Sequence, residues 1–511
     1  MAQHTDWVRR ALKAAAILAV LFLAVYHLTD YPLTWFDEGS HLHVPKTLVR
    51  FGVYADYSSE GFRYYGPTVG VGPTVMLPIA AAFRLFGIGL LQARLVMVLY
   101  LLAAIYAFFL LARQLGDQRF AWVATALVVA SRSVALLEYG RQLLGEVPGL
   151  FFIVAGLGIW FSKWEQASWR RLTVVGILLG LAMITKYQYL LFLAPALAIG
   201  WLANLVYYRA APQRVFMVPS IVAAVCWGLW QAYTVLYLGP STASENLALL
   251  RQASAGAALS FSPRLMEQSV YVVLSPSTYL GSLVPVLVYG CFLALPRRRE
   301  GQQWGILLLL VGANLGWYTI ASIGWWRYAF LGFALASLFV ARFFSDLTAG
   351  FRLDVAMPEE ELHRRGLTMH NRALRWAGLV WLGAMLVLPL GQSVSEIVSP
   401  PFNAPQAMAD YLNEHVPQDA LIETWEPEMG FLTNHTYHFP PAPLLAQAIN
   451  QVFLGGSPLA KTYDFVQTER PTHVLVGNFG RGVALYPADW LAAHYELVTR
   501  IGGYELYALS K

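Results

Sequence analysis

The sequence predicts an α-helical polytopic membrane protein with a small α/β domain at its C-terminal end. Its 511 residues are 57% hydrophobic and only 13% charged, with a mean hydropathy of +0.50. That charged share is about half of what soluble globular proteins carry. Apolar runs close to the ~20 residues that cross the hydrocarbon recur as far as residue 397. After a Pro-rich linker, the remaining residues are polar.

Eleven transmembrane spans are predicted from these runs. They cover residues 11–29, 93–112, 120–137, 147–162, 172–186, 187–208, 216–238, 270–295, 304–322, 328–345 and 376–397. A further apolar stretch, 73–88, is short, contains Pro73 and Pro78, and ends with Arg84. We expect it to be a juxtamembrane helix that does not span the bilayer.

Basic residues predict the orientation. With the N-terminus inside and 73–88 outside the membrane, the cytoplasmic loops contain Arg113, Arg119, Lys163, Arg170, Arg171, Arg209, Arg214, Arg297, Arg298, Arg299, Arg364, Arg365, Arg372 and Arg375. Counting 73–88 as a span would move all these clusters outside, against the positive-inside rule. The first span follows basic residues without a cleavage site, which predicts an uncleaved signal anchor. We therefore expect a plasma (inner) membrane protein with a cytoplasmic N-terminus and an extracytoplasmic C-terminal domain.

Two domains are predicted, a transmembrane domain over 1–397 and an extracytoplasmic domain over 398–511. The transmembrane domain contains a first outer loop at 30–92 and another outer loop at 239–269. Local patterns predict a helix at 41–51 in the first loop, and a helix at 405–415 followed by strands at 420–425, 473–477 and 504–509 in the C-terminal domain.

Composition also limits which partners and cofactors the protein can have. The net charge of +5 resides in loops between spans, so no nucleic-acid partner is expected. Only two cysteines occur, Cys226 and Cys291, which excludes a disulfide framework or a Cys-based metal site. Asp37 and His41 have a spacing that suits a metal on a helix face, but no third ligand is defined. No cofactor is indicated, although a divalent metal is compatible with the sequence. His435 and His438 are expected at the surface.

Ionisable residues converge on the predicted outer face. They are Asp37 and Glu38 after the first span, Arg141 and Glu146 between the third and fourth, Lys186 at the end of the fifth, and Arg327 before the tenth. Charges in such apolar surroundings indicate a functional site. Carboxylates beside cations at a lipid–water interface suggest a general base next to an anion site, most simply for the phosphate of a lipid carrier.

Structural interpretations of the same residues remain open. The acidic pair could be a solvated loop start. Arg141 could form a structural ion pair with Glu138 or Glu146. Lys186 and Arg327 could be cations that snorkel to the interface.

The ordered set of motifs resembles a known family. It comprises Asp37-Glu38, Gly72-Pro-Thr-Val-Met-Leu-Pro78, Leu85-Phe-Gly87, Gln92-Ala-Arg-Leu95, Leu110-Leu-Ala-Arg-Gln-Leu-Gly116, Arg141, Glu146 and Gly176-Ile-Leu-Leu-Gly-Leu-Ala-Met-Ile-Thr-Lys186. Over about residues 10–345 the chain resembles the GT-C integral membrane glycosyltransferases of the protein O-mannosyltransferase and aminoarabinose lipid A transferase type.

This resemblance implies an inverting transfer of a sugar from a polyprenyl-phosphate donor to a protein, lipid or glycan outside the cytoplasm. It assigns Asp37 as the base, with Glu38 beside it. By the same resemblance, Lys186 meets the carrier phosphate and Arg327 assists it, while Arg141 and Glu146 contact substrate. Lipid A transferases carry a Lys near the position of Arg63. Arg63 could substitute for that lysine and bind substrate, but Lys and Arg are not interchangeable, which weakens the case for lipid A as the acceptor.

The main alternative is a polytopic transporter or flippase for a lipid-linked or anionic solute. Such proteins concentrate ionisable residues near the middle of the membrane and often contain inverted repeats. Here the charges cluster at the outer face, and no convincing internal repeat is seen, so interfacial chemistry is favoured.

Overall fold

The computed structural model describes residues 2–64, 70–162, 164, 167–248, 259–351, 372–459 and 463–510. Part of the outer loop predicted at 239–269, namely 249–258, lies outside the described residues. Three basic residues of the predicted cytoplasmic clusters also lie outside them, namely Lys163, Arg364 and Arg365.

Helices dominate the chain before residue 399. In order they are α1 (Ala2–Val25), α2 (Phe36–Phe51), α3 (Pro73–Phe86), α4 (Leu90–Leu115), α5 (Gln118–Ala130), α6 (Leu136–Tyr139), α7 (Glu146–Phe161), α8 (Trp169–Thr185), α9 (Gln188–Ala203), α10 (Arg214–Leu238), α11 (Pro263–Leu274), α12 (Leu283–Ala294), α13 (Arg299–Ala321), α14 (Phe330–Leu347) and α15 (Arg372–Val398). A short hairpin of β1 (Asp56–Ser58) and β2 (Gly61–Arg63) follows α2.

Six described segments are long and apolar enough to cross a membrane. They are Leu90–Leu115, Gln188–Tyr208, Arg214–Leu238, Arg299–Ala321, Trp326–Leu347 and Ala373–Val398. The helices α3, α5, α7 and α12 are apolar but shorter. The predicted class, a polytopic helical membrane protein, is thus confirmed, whereas the count of eleven spans stays a prediction.

The run predicted as one span at 270–295 differs from the structure. It contains the end of α11 and all of α12, separated by an irregular segment that includes Pro276. Proline has no amide hydrogen and disfavours a helical residue before it, which explains the break.

The α14 helix lies at the centre of the helical bundle. In its most apolar window 78% of the residues are buried, compared with 17% for α15. A helix that is buried on all sides belongs in the core, whereas one exposed on most of its surface faces lipid. The α14 core position matters because the turn just before it carries Arg327.

The start of α3 rests on the end of α8. Gly72 donates its backbone N–H to the carbonyl of Thr185 at 2.9 Å, and Val71 forms an antiparallel bridge with Lys186. A Cβ atom at Gly72 would overlap the carbonyl oxygen of Ile184, so glycine permits this close approach. Pro73 at the first turn of α3 presets the helical backbone angle.

The C-terminal domain is a five-stranded mixed sheet with short helices, which confirms the predicted α/β class. Its elements are α16 (Ala404–His415), β3 (Leu421–Thr424), α17 (Pro427–Leu432), β4 (Thr436–His438), α18 (Ala442–Leu454), α19 (Phe465–Thr468), β5 (His473–Val476), α20 (Asn478–Gly482), α21 (Ala488–His494), β6 (Tyr495–Ile501) and β7 (Tyr504–Leu509). The strand order is β4-β3-β5-β7-β6, parallel at β4-β3-β5 and antiparallel beyond.

The prediction of surface positions for His435 and His438 is wrong. Both side chains are buried. His438 ends β4 directly opposite Glu423 on β3, and its Nδ1 lies 2.5 Å from the Glu423 carboxylate. A buried polar ring is stable here because a partner satisfies it.

The first outer segment is docked on the C-terminal domain. The α2 helix packs on α17, where Gly39 leaves just enough space for the backbone of Glu428. Lys46 donates to the carbonyls of Gly430, Phe431 and Thr433 at 2.8, 3.0 and 2.6 Å. These bonds satisfy carbonyls at the end of α17. The C-terminal domain therefore lies on the same side as α2, close to the candidate site.

Candidate active site

Asp37 and Arg327 form an ion pair between two distant parts of the chain. Asp37 stands in the first turn of α2, where the helix dipole favours a negative charge. Arg327 stands in the short turn Trp326–Ala329 that precedes α14. The two side chains are 18% and 11% exposed, so the pair faces a small opening and is not sealed in the core.

Glu146 and Lys186 form a second ion pair beside the first. Glu146 is the first residue of α7, and Lys186 follows the last residue of α8 with an extended backbone. The bridge between Val71 and Lys186 fixes that backbone. The Lys186 side chain is 12% exposed, whereas that of Glu146 is 3% exposed.

The two pairs belong to one cluster. Arg327 lies within electrostatic range of Asp37 and Glu146, and Lys186 lies within range of both carboxylates as well. The ring of Tyr328 stands between the cations, with its centroid 5.6 Å from the Arg327 guanidinium and 5.8 Å from Lys186 Nζ. The structure therefore brings together four of the predicted site residues.

Each pair leaves one buried polar atom without a partner. Oε2 of Glu146 and Nε of Arg327 make no hydrogen bond to any described residue. Buried polar groups are nearly always satisfied, and exceptions in a cleft mark places where a ligand or water binds. The cluster offers both an acceptor and a donor to a molecule that enters it.

Aromatic rings enclose Arg327. Its guanidinium carbon lies 5.2 Å from the Trp35 ring and 4.7 Å from the Trp325 ring, in addition to Tyr328. Ring faces attract a cation while excluding water. Trp35 is itself held by a 2.7 Å hydrogen bond from its Nε1 to Gln142. This setting keeps the Arg327 charge weakly hydrated and available to an anion.

Glu38 has a different environment from its neighbour Asp37. Its side chain is fully buried and accepts hydrogen bonds from Arg94 Nε at 2.9 Å and Nη2 at 2.5 Å, and from the Leu143 amide at 3.1 Å. Glu38 thereby ties α2 to α4 and to the segment before α7. Sequence reasoning assigned no role to Arg94, although a lone Arg inside an apolar run signals a buried partner.

Arg141 also lies away from the opening. Its guanidinium is fully buried and donates to the carbonyls of Leu23, Tyr26 and Tyr31 around the end of α1. Neither Glu138 nor Glu146 accepts from it, so its partners are backbone groups and not the ion pairs considered from the sequence. Arg141 holds the first helix against the site.

Arg63 belongs to the contact between the β1–β2 hairpin and the C-terminal domain. It pairs with Asp56, and its guanidinium lies 4.3 Å from the centroid of the Phe439 ring. Asp56 also bonds His43 Nδ1 at 2.7 Å, and His43 Nε2 reaches the Pro427 carbonyl at 2.7 Å. Burial raises the pKa of Asp56, but the charges of Arg63 and His43 outweigh it and hold that pKa well below its usual range.

The C-terminal domain covers the cluster. Phe36, next to Asp37, contacts Phe479 with ring centroids 4.5 Å apart. Trp325, two residues before Arg327, contacts Phe453 at 5.4 Å. Both contacts come from short helices of that domain, which therefore lies over the Asp37–Arg327 pair. No sequence signal pointed to these aromatic residues or to Tyr328.

His41 lies one helical turn after Asp37. Its Nδ1 lies 2.9 Å from the Leu143 carbonyl oxygen. Burial lowers the pKa of His41, although the charge of Asp37 opposes this, and the neutral ring is favoured. A neutral His41 places a polar side chain beside the cluster without adding a third positive charge.

Comparisons with known proteins agree with this architecture. Residues 71–230 match the family model described as dolichyl-phosphate-mannose-protein mannosyltransferase. The crystal structure of ArnT from Cupriavidus metallidurans bound to undecaprenyl phosphate is 15% identical, with a TM-score of 0.64 over 99% of this chain and 98% of that chain. The chain has the GT-C glycosyltransferase fold. The resemblance seen in the sequence is thus confirmed.

A second similar structure is the archaeal oligosaccharyltransferase AglB from Archaeoglobus fulgidus in complex with an inhibitory peptide and a dolichol-phosphate. It is 13% identical, with a TM-score of 0.57 over 99% of this chain and 75% of that chain. No curated protein sequence matches this chain.

Proposed function

We propose that this protein is an inverting glycosyltransferase that moves a sugar from a polyprenyl-phosphate-linked donor to an acceptor on the outer side of the membrane. The observation that carries the proposal is the juxtaposition of the Asp37–Arg327 and Glu146–Lys186 pairs, each with a polar atom that has no partner among the described residues. The matched mannosyltransferase family model and the undecaprenyl phosphate bound by ArnT support it.

The two cations form the site for the donor phosphate. Lys186 is partly exposed at the end of α8, and the nearby Arg327 has a buried Nε with no hydrogen-bond partner among the described residues. A guanidinium and an ammonium at one interface match a phosphate in both charge and hydrogen-bonding capacity. During transfer they stabilise the polyprenyl phosphate as it leaves.

Asp37 is the base. In the free protein its carboxylate is occupied by Arg327. A donor phosphate gives Arg327 a second anion to contact, which frees Asp37 to accept a proton. The acceptor hydroxyl then loses that proton to Asp37 and attacks the anomeric carbon, while the bond from that carbon to the phosphate oxygen breaks. A single displacement inverts the anomeric centre.

Glu146 has two tasks in this scheme. One carboxylate oxygen orients Lys186, and the other is free to accept from a sugar hydroxyl. Glu38, Arg141 and Arg63 bind other parts of the protein, and we propose that they position the site without contacting substrate.

The proposal includes an orientation. A cytoplasmic N-terminus and a plasma (inner) membrane location place the cluster and the C-terminal domain outside the cytoplasm, facing an acceptor protein, lipid or glycan. Cysteines placed in α16 and in the loop at 296–298 test this through a membrane-impermeant thiol reagent. Labelling of α16 in intact cells, and not of the loop, is expected.

The experiment that tests the function measures sugar release from radiolabelled polyprenyl-phosphate sugars in proteoliposomes that contain a mixture of acceptors. Asp37→Asn is expected to lower transfer by at least about 100-fold, because proton transfer by a positioned side chain contributes ~10²–10⁴-fold. Asp30→Asn is the matched control, since Asp30 is a partly exposed acid in the same segment that pairs only with His27 among the described residues. Its transfer rate should match the wild type.

The transporter alternative predicts a different result. A flippase would move the intact donor across the bilayer without breaking the bond to phosphate. Undiminished movement of intact donor, with no release of sugar in any acceptor mixture, would refute the transferase.

A further inference from the structure

A narrow cavity lies between the turn after α5 and the last turns of α15. It encloses about 260 Å³ of space, part of which is open to the surroundings. Its wall includes Arg132 and Glu138 near α6, Tyr31 after α1, and Ser393 on α15. Only 17% of the most apolar window of α15 is buried, so this helix faces lipid along most of its length. Because Ser393 stands near the end of that helix, the cavity lies at the level of the lipid head groups.

The Arg132 side chain has hydrogen-bond donors that remain unused at this cavity. Its Nη1 donates to the Glu396 carboxylate at 2.6 Å, and the Tyr31 hydroxyl donates to the same oxygen at 2.6 Å. No acceptor in the described part of the chain binds the other N–H groups of this guanidinium. The side chain is 33% exposed, so those groups can meet an anion, and the planar guanidinium suits a phosphate.

The Glu138 carboxylate lines the same cavity without a partner. It is half-buried, and none of the described residues donates a hydrogen bond to it or forms an ion pair with it. Buried carboxylates are normally paired. Ala135, just before α6, has a left-handed backbone with a φ of 50°, which is unfavourable for a residue with a Cβ atom. Such strain is common where a fold holds a side chain ready for a ligand.

We propose that this cavity binds a zwitterionic phospholipid head group that ends in a primary ammonium, the chemistry of phosphatidylethanolamine. Two carboxylates, Glu138 and Glu396, stand around one cation, Arg132, and an ammonium supplies the missing positive charge. The ammonium donates to Glu138, while the phosphate accepts from the unused donors of Arg132. A short ethylene link joins these two groups of the lipid, which suits an anion and a cation that line one narrow cavity.

Other common head groups do not match both sides of the cavity. The choline head group carries a positive charge, but its nitrogen has no hydrogen to donate. The glycerol head group has hydroxyls and a phosphate, but no positive charge to balance Glu138. Charge and hydrogen bonding together therefore select the ethanolamine head group.

A bound head group also stabilises the turn that carries Arg327. The Ser133 carbonyl accepts a 2.9 Å hydrogen bond from Nε1 of Trp326, the residue immediately before Arg327. The ring of Tyr139 contacts the first residue of α14, with centroids 5.9 Å apart. Residues 131–139 therefore connect the lipid cavity to the candidate active site.

Native mass spectrometry of the full-length protein in detergent tests the proposal. Lipids with identical acyl chains and an ethanolamine, choline or glycerol head group are added at equal concentrations. One retained ethanolamine lipid per chain is expected, bound at least about tenfold more tightly than the other two, as expected of a hydrogen bond between charged groups. Equal binding of all three lipids would overturn the proposal.

A soluble competitor distinguishes a lipid from a free amine. Glycerophosphoethanolamine has the same head group without acyl chains, so it should compete at least about tenfold more weakly than the lipid. Competition as strong as that of the lipid would show that the cavity binds a soluble ligand, and the lipid assignment would be wrong.

Two variants test the location of the site. Glu138→Gln keeps the size of the side chain but removes its charge, and Ser393→Leu fills the cavity from α15. Each should weaken binding of the ethanolamine lipid at least about tenfold. Glu267→Gln, at an exposed glutamate on α11, is the matched control and should bind like the wild type. Unchanged binding in both cavity variants would contradict the proposed site.

Hydrogen exchange supplies a second readout. The ethanolamine lipid should slow amide exchange over residues 131–139 in the wild type and in Glu267→Gln, and not in Glu138→Gln. Slower exchange only in other segments would mean that the lipid binds elsewhere. Neither readout uses sugar transfer, so failure here is distinguishable from failure of the proposed function.

Discussion

Replacing Glu38 by Gln should destabilise the protein, whereas replacing the adjacent Asp37 by Asn should inactivate it. Glu38 and Arg94 are fully buried and joined by two hydrogen bonds. Glu38→Gln leaves the Arg94 cation uncompensated, and removing one partner of a buried pair costs about 3–5 kcal/mol. Asp37 is less buried than Glu38, and Glu146 remains near Arg327 to balance its charge, so Asp37→Asn should cost less stability than Glu38→Gln.

The assay compares free energy of unfolding with transfer activity. Unfolding in mixed micelles at increasing SDS is followed by fluorescence, since the chain has 17 Trp. Glu300→Gln is the matched control because the Glu300–Arg298 pair is exposed and should contribute less than about 0.5 kcal/mol.

A double variant tests whether the uncompensated Arg94 charge causes the loss of stability. Arg94→Met removes the stranded charge, so Glu38→Gln/Arg94→Met should recover much of the stability lost in Glu38→Gln. Unchanged stability of Glu38→Gln together with loss of transfer would show that Glu38 contacts substrate and would refute this reasoning.

Three further changes test other parts of the structure. Arg327→Lys keeps the charge but loses the planar stacking, so transfer should fall about tenfold or more, measured with the donor saturating. Gly72→Ala should cost about 1–3 kcal/mol of unfolding free energy and reduce transfer, because the methyl group meets backbone at the end of α8, whereas Gly312→Ala, which has open space, should not. Burial and the charge of Glu426 raise the pKa of Glu428 to about 8. Between its ordinary pKa of 4.5 and the raised pKa of about 8, the folded state binds more protons than the unfolded state, so stability should fall as pH rises. Glu428→Gln should flatten that slope in thermal unfolding.

The members of the cluster could be predicted from the sequence, but their pairing could not. Apolar runs and the positive-inside rule place Asp37, Glu146, Lys186 and Arg327 on one face. Which carboxylate meets which cation depends on how helices pack, and no single run of sequence specifies that.

The separate roles of Asp37 and Glu38 follow from helix geometry. Neighbouring residues of a helix point about 100° apart, so an acidic pair at a helix start cannot share one environment. The pattern of the sequence predicts a helix only from residue 41 and a loop at the acidic pair, whereas α2 begins at Phe36.

In the C-terminal domain, too, the sequence predicts only part of the structure. The strands predicted there are β3, β5 and β7, which form the middle of the sheet, whereas β4 and β6 at its edges were missed. Edge strands have one unpaired side and weaker apolar patterns. The burial of His438 depends on Glu423 in the adjacent strand, a partner that strand pairing supplies and local pattern does not.

The docking of α2 on α17 joins a helix that the ribosome synthesises early to one that it synthesises late. His43 contacts the Pro427 carbonyl across 384 positions of sequence. At ~5–20 residues per second, a nascent α2 waits roughly 20 to 80 s for its partner. Throughout that interval Lys46 and His43 lack the carbonyls that satisfy them, and the cover over the cluster does not exist. A chain that ends before the last hundred residues therefore leaves Asp37 and Arg327 without the cover that the C-terminal domain places over them.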